Sequence, residues 1–159
     1  MGDKMSDNHF MSIAIKEAAL GMRKNHGGPF GAVIVRMKDS RILAKAHNMV
    51  LKNTDPSSHA EITAIRAACK KLKRFRLDGC AIYSSSEPCP MCLSAIMWSG
   101  MKKVYYGASA RDVASIGFQD MYQDSFIFKK HPIEMVQIDH KDALKIFKGW
   151  REKLDKVIY

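Results

Sequence analysis

The sequence predicts an α/β chain, a three-layer α/β/α arrangement around a mixed five-stranded sheet, and three observations lead there. Two short apolar runs, Gly31 to Arg36 and Arg41 to His47, are joined by Met37-Lys38-Asp39-Ser40 and read as an antiparallel hairpin. After the hairpin, strand-like runs alternate with segments of helical period, the pattern of a sheet covered on both faces. The chain has 159 residues and 47% apolar content, enough to bury a core without disulfide staples.

Each element follows from its local pattern. Asn8 to Lys24 places Phe10, Ile13, Ala14, Ala18 and Met22 near a helical period, and Asn25-His26-Gly27-Gly28-Pro29 ends it. The hairpin comes next, then a loop closing on Thr54-Asp55-Pro56-Ser57-Ser58. A helix beginning at Ser58 has Ile62, Ile65, Ala68, Cys69 and Leu72 as its buried stripe. Cys80 to Ser84 is a buried strand. Ser85-Ser86-Glu87-Pro88 then turns into a helix from Cys89 to Trp98, where Pro90 is tolerated because a first-turn N–H has no helical partner to lose. Lys103 to Gly107 and Ile133 to Ile138 supply the fourth and fifth strands, and Lys141 to Val157 the last helix. No repeat, low-complexity tract or linker divides the chain, so a single domain over residues 1–159 is expected.

No apolar run is long enough to cross a bilayer, and the first thirty residues lack the apolar stretch of a signal peptide, so a soluble, cytoplasmic protein is expected. Lys and Arg number 26 against 16 Asp and Glu, a net charge of +10, which raises the question of a nucleic-acid partner. The distribution tempers it. Lys70, Lys71, Lys73, Arg74 and Arg76 follow a helix end, where cations complement the dipole. Lys141, Lys145, Lys148 and Arg151 are interleaved with Asp142, Glu152 and Asp155, as on a solvated helix face.

The chemistry concentrates in His59-Ala60-Glu61 and, downstream, Pro88-Cys89-Pro90-Met91-Cys92. One imidazole and two thiolates, His59, Cys89 and Cys92, suit Zn²⁺ and leave its fourth tetrahedral position to water. Glu61 stands where it can take that water's proton. Three alternatives compete. A redox dithiol would explain Cys89-x-x-Cys92 but neither His59 nor Glu61. A closed structural zinc site would recruit Cys69, Cys80 or His47 as a fourth ligand. Ser58-His59-Ala60-Glu61 also fits a capping box, in which the glutamate binds backbone and does no chemistry. The joint pattern His-x-Glu with Pro-Cys-x-x-Cys is the signature of zinc nucleobase and nucleoside deaminases. A neutral ligand set acidifies water less than three histidines would, so a separate base is required, and Glu61 is that base.

Further runs extend the likeness along nearly the whole chain: Gly28-Pro29-Phe30-Gly31-Ala32-Val33-Ile34-Val35, Asn48, Asp55-Pro56, Glu87-Pro88-Cys89-Pro90-Met91-Cys92 and Ala95-Ile96-Met97-Trp98. On these the sequence resembles the bacterial-type guanine deaminases of the cytidine deaminase superfamily. The resemblance implies a cytidine-deaminase-like domain, one Zn²⁺ per subunit and hydrolysis of guanine to xanthine and ammonia. It implies that Asn48 hydrogen-bonds the base, Phe30 and His59 flank its ring, the Ala60 backbone meets its edge and Trp98 helps close the pocket. It also implies a homodimer exchanging C-terminal segments, about residues 141–157 with the tail, so that Tyr159 covers a site. An acidic residue after a Gly-Phe pair would hold the purine amino group. Counting from Cys92 favours Asp120, and matching Asp-Ser-Phe-Ile favours Asp124; Asp120 is chosen. A transfer-RNA adenosine deaminase, a cytosine or guanosine deaminase, and a non-catalytic zinc module binding RNA stand as alternatives, with nucleic acid the less favoured partner.

Overall fold

The computed structural model describes residues 6–118 and 129–159. In chain order the elements are α1 (Asp7–Arg23), β1 (Gly31–Arg36), β2 (Arg41–His47), α2 (Val50–Asn53), α3 (Ala60–Leu72), β3 (Cys80–Ser86), α4 (Pro90–Trp98), β4 (Lys103–Ala108), α5 (Ala110–Ser115), β5 (Glu134–Gln137) and α6 (His140–Glu152). The sheet order is β2-β1-β3-β4-β5. β1 is antiparallel to both neighbours, while β3, β4 and β5 run parallel, which makes the sheet mixed as expected.

Alternation along the strands builds the layers. On β1, Ala32 and Ile34 meet Ala60, Ala64 and Ala68 of α3 and Leu93 and Ile96 of α4. Val33 and Val35 point the other way, against Phe10, Met11 and Ala14 of α1. α6 lies on the same face as α1 and contacts it and β4. Gly31 is set by this packing: a Cβ there would lie 2.1 Å from the carbonyl oxygen of Ala14, so only glycine lets α1 approach the strand this closely.

The antiparallel pairing Ala32↔Ser84 brings the start of β1 beside the end of β3, and Gly31↔His47 brings the end of β2 to the same edge. The N-termini of α3 and α4 also open there. His59, Glu61, Cys89 and Cys92 therefore converge on the carboxyl edge of the parallel strands, where ligands bind in open α/β sheets.

Several boundaries depart from the sequence-based expectation. α3 starts at Ala60 with His59 as its N-cap, not at Ser58. Ser58 is diverted because its hydroxyl donates to Asp55 at 2.8 Å and accepts from Asn53 at 3.2 Å. The hydrogen bonds from Ser57 and Ser58 hold the Asp55 carboxyl down at about 2. β3 runs two residues further, to Ser86. The last helix ends at Glu152, because Lys153 takes an extended conformation, and 153–159 continues as a tail. α2 and α5 are additional; α5 carries a true capping box between Ser109 and Asp112.

Candidate active site

Two helix N-termini face one another across the site. His59 is the N-cap of α3 and Cys89 that of α4, yet neither makes a side-chain cap hydrogen bond, and the imidazole and the thiol meet across the gap. Cys92, one turn into α4, lies on the same side as Cys89. His59 Nδ1 is 3.6 Å from Cys89 Sγ and 3.5 Å from Cys92 Sγ, and the donor atoms all lie within 4.8 Å of one another. A tetrahedral ion with the usual Zn–N and Zn–S bonds has an N–S edge of about 3.6 Å. The spacing therefore fits zinc.

The group is open. Among the described residues, Cys69, Cys80 and His47 do not join it. The Cys80 thiol faces the carbonyl of Asp78, and His47 is bonded to His26 and Glu17. A hydrogen bond from Cys92 holds the Cys89 thiol down to about 4, against the opposing effect of burial. The same bond, together with burial, pushes Cys92 well up. Cys89 is thus the thiol of the pair that ionises more readily, and converging helix N-termini favour negative charge there.

Glu61 is only 4% exposed, with Oε2 3.4 Å from Cys92 Sγ and Oε1 accepting from the Ser84 hydroxyl at 3.0 Å. Burial raises its pKa. The capping-box alternative is overturned: Ser58 is not the cap, and the carboxylate is aimed at the metal ligands. Ser84 is a participant that sequence reasoning missed. The signal was present in strand alternation, since Ser84 shares the face of Ile82, which packs toward α3 and α4.

In front of these groups lies a cavity of about 350 Å³, at the small end of the roughly 300–1,000 Å³ range of ligand pockets. Phe30, Asn48, His59 and Tyr159 all line it. Asn48 is buried, and its Oδ1 accepts from the Val50 N–H at 3.1 Å and from the Tyr159 hydroxyl at 2.6 Å. The Gly28 N–H donates to the same hydroxyl at 2.8 Å, and Phe118 packs edge-on to both Phe30 and Tyr159. Ala60 is fully buried at the first turn of α3. Trp98 departs from its expected place: at the far end of α4 it is 84% exposed and does not line the cavity of this chain. Asp120 and Asp124 lie outside the described residues. Glu87, Val113 and Phe118 line the cavity without having been assigned a role from sequence. Glu87 accepts from the Ala110 N–H at 2.8 Å, which ties the start of α5 to the end of β3.

Residues 4–108 match the family described as the cytidine and deoxycytidylate deaminase zinc-binding region. The chain belongs to this deaminase family. A guanine deaminase of Bacillus subtilis (strain 168) is 43% identical over 162 residues, covering 98% of this chain and 100% of the relative. An X-ray structure of guanine deaminase from Bacillus subtilis, 42% identical, covers 98% of this chain and 99% of that one with a TM-score of 0.71. A tRNA-specific adenosine deaminase of Aquifex aeolicus (strain VF5) is 40% identical over 104 residues, 65% of this chain and 67% of the relative. As a member of the deaminase family, this chain has its zinc-binding region matched through β4, which includes all three ligands and Glu61.

Proposed function

We propose that this chain is a zinc-dependent hydrolase of a free purine base, converting guanine and water to xanthine and ammonia. The observation that carries it is the buried Glu61 carboxylate beside an open His59, Cys89, Cys92 group, in a chain that matches a guanine deaminase over its full length. When bound, zinc supplies a Lewis acid that acidifies and orients water. Glu61 takes a proton from the attacking water and hands it to a ring nitrogen of the base as the water oxygen bonds to the amine-bearing carbon; Glu61 then takes the proton of the new hydroxyl and delivers it to the amine, which leaves as ammonia as the C–N bond breaks and the C=O bond forms. Burial raises the proton affinity of Glu61, which suits a group that must carry a proton in both directions.

Orientation comes from the cavity walls. The contacts from Val50 and Tyr159 occupy the Asn48 carbonyl oxygen, so its NH₂ group is turned toward a base acceptor. Phe30 and His59 flank the ring plane, the Ala60 backbone meets the base edge, and Asp120 holds the exocyclic amine. Tyr159 closes over the cavity, which favours a free base over a base carried on a polynucleotide. The subunits pair as a homodimer. α4 is apolar but for Ser94 yet leaves Met91 and Trp98 exposed, and the tail leaves Leu154, Val157 and Ile158 exposed, which supports burial of both against a second copy. Trp98 then contributes to pocket closure from an interface. Among the described residues no helix is long and apolar enough to cross a membrane, and a cytoplasmic location is part of the proposal.

Ammonia release measured on guanine, guanosine, cytosine, adenine and a transfer-RNA anticodon stem tests the substrate. Guanine is expected to be preferred. Turnover of the RNA stem, with strong salt dependence and none on guanine, would assign the chain to adenosine deamination instead.

A further inference from the structure

A hydrogen-bonded chain of titratable groups, Glu17, His47 and His26, lies behind the base-binding wall. His47 Nδ1 meets Glu17 Oε2 at 3.0 Å, and His47 Nε2 meets His26 Nδ1 at 2.8 Å, with the two rings stacked at 5.1 Å. Glu17 lies on α1, His47 closes β2 immediately before Asn48, and His26 immediately precedes Gly27-Gly28. The three side chains thus join α1 to the two backbone segments that hold the Tyr159 hydroxyl, one through Asn48 and the other through Gly28. The His26 carbonyl also accepts from the Leu51 and Lys52 N–H groups at 3.1 Å each, anchoring α2. The fit is close on every side. A Cβ on Gly21 would lie 2.6 Å from the His47 ring, and one on Gly27 would lie 2.0 Å from Asn48 Oδ1.

We propose that Glu17, His47 and His26 are positioning residues for the base-binding wall, and that a second proton on the histidine pair releases the wall in acid. This rests on the deamination of a free base proposed above. A separation of 2.8 Å between two ring nitrogens accommodates one proton: none leaves two lone pairs facing, and two leave both nitrogens as donors. With His47 Nδ1–H donating to the Glu17 carboxylate, the pair can carry one positive charge on either ring and keep its hydrogen bond. A second positive charge breaks that bond. Lys24 and Lys52 face His26, and Lys45 lies 3.8 Å from Glu17, so the Glu17 carboxylate is the one negative group among the charges named around the pair. Burial, then Lys52, His47 and Lys24, lower the His26 pKa, which keeps the brace closed at neutral pH. A histidine whose pKa is lowered in the closed form favours that form fully above the ordinary histidine value, and the contribution is lost as pH falls from there through the lowered value.

The test uses the zinc-loaded enzyme. Nitrogen-15 NMR of the imidazoles is expected to show one proton shared between His26 Nδ1 and His47 Nε2 at neutral pH and His26 titrating below the usual histidine value; an unshared proton, or a His26 that titrates at the usual value, would overturn the proposal. With guanine as substrate, KM should rise by about tenfold per pH unit once the second proton binds, with kcat changing less. In His47→Gln the amide can donate to Glu17 and accept from His26 but cannot gain a proton, so its KM should stay flat across the same range. His47→Ala should raise KM about fivefold at every pH, with thermal melts confirming that each variant is folded. An identical acid rise of KM in wild type and His47→Gln would overturn the proposal. Absence of guanine turnover at neutral pH would sink the substrate reading alone, because the NMR titration judges the brace without any substrate.

Discussion

Glu61 shows how little a residue's local sequence says about its task. Four residues, Ser58 to Glu61, fit a helix cap, and what removes that explanation is the Asp55 turn that captures Ser58 and the Ser84 hydroxyl that meets the carboxylate from β3. Replacing Glu61 by Ala is expected to reduce kcat by at least about 10²-fold, the usual contribution of a positioned acid–base group, while zinc content stays at one ion per chain. Metal analysis beside ammonia release checks both, and surviving turnover would rule out Glu61 as the base. Tyr159 carries a different kind of prediction. Its phenol is pushed up to about 12, chiefly by burial, so it remains a hydrogen-bond donor to Asn48 throughout the neutral range. Tyr159→Phe removes that donor and the acceptor for Gly28, and should raise KM by about fivefold to tenfold while leaving kcat near wild type, as steady-state kinetics would show.

α3 and α4 share a device in which a metal-ligating residue occupies the N-cap position. A cap side chain ordinarily satisfies an open N–H; His59 and Cys89 forgo this and leave their helix starts to be held by other contacts. Zinc held by His59, Cys89 and Cys92 would do what the caps do not, joining α3 to α4. Chelation should therefore lower Tm, and metal at about a thousand times its Kd should contribute about 4 kcal/mol. In Cys92→Ser, which removes a fully buried ligand, calorimetry with and without chelator should give the same low Tm. A Tm that chelation does not move in the wild type would mean that the helices need no metal to pack. The strands of the hairpin were legible to the residue because their apolar runs are bounded by turn residues. α2 and α5 were not, since a helix of four or six residues is too short for periodicity and rests on tertiary contacts such as Glu87 with Ala110.

For the whole molecule, the tail after α6 bears on the proposed assembly. In the described chain Tyr159 reaches its own cavity, while Leu154 is fully exposed and Val157 and Ile158 are about half exposed. If two copies exchange this segment, each site is completed by its partner. Mixing Glu61→Ala chains with Tyr159→Phe chains should then yield sites of wild-type KM, because the exchanged dimer contains one site with both groups; a mixture that keeps only the raised KM of Tyr159→Phe would assign the tail to its own subunit. The sequence by itself determined the strand pattern, the three ligands and the reaction class, because ligand chemistry and hydrophobic period are local properties of residue type and spacing. Only the tertiary structure decided that Ser84 bonds Glu61, that Trp98 stands away from the cavity, and that Glu17, His47 and His26 form one brace. These depend on which residues, distant in the chain, the sheet order and the antiparallel register of β1 bring to one edge.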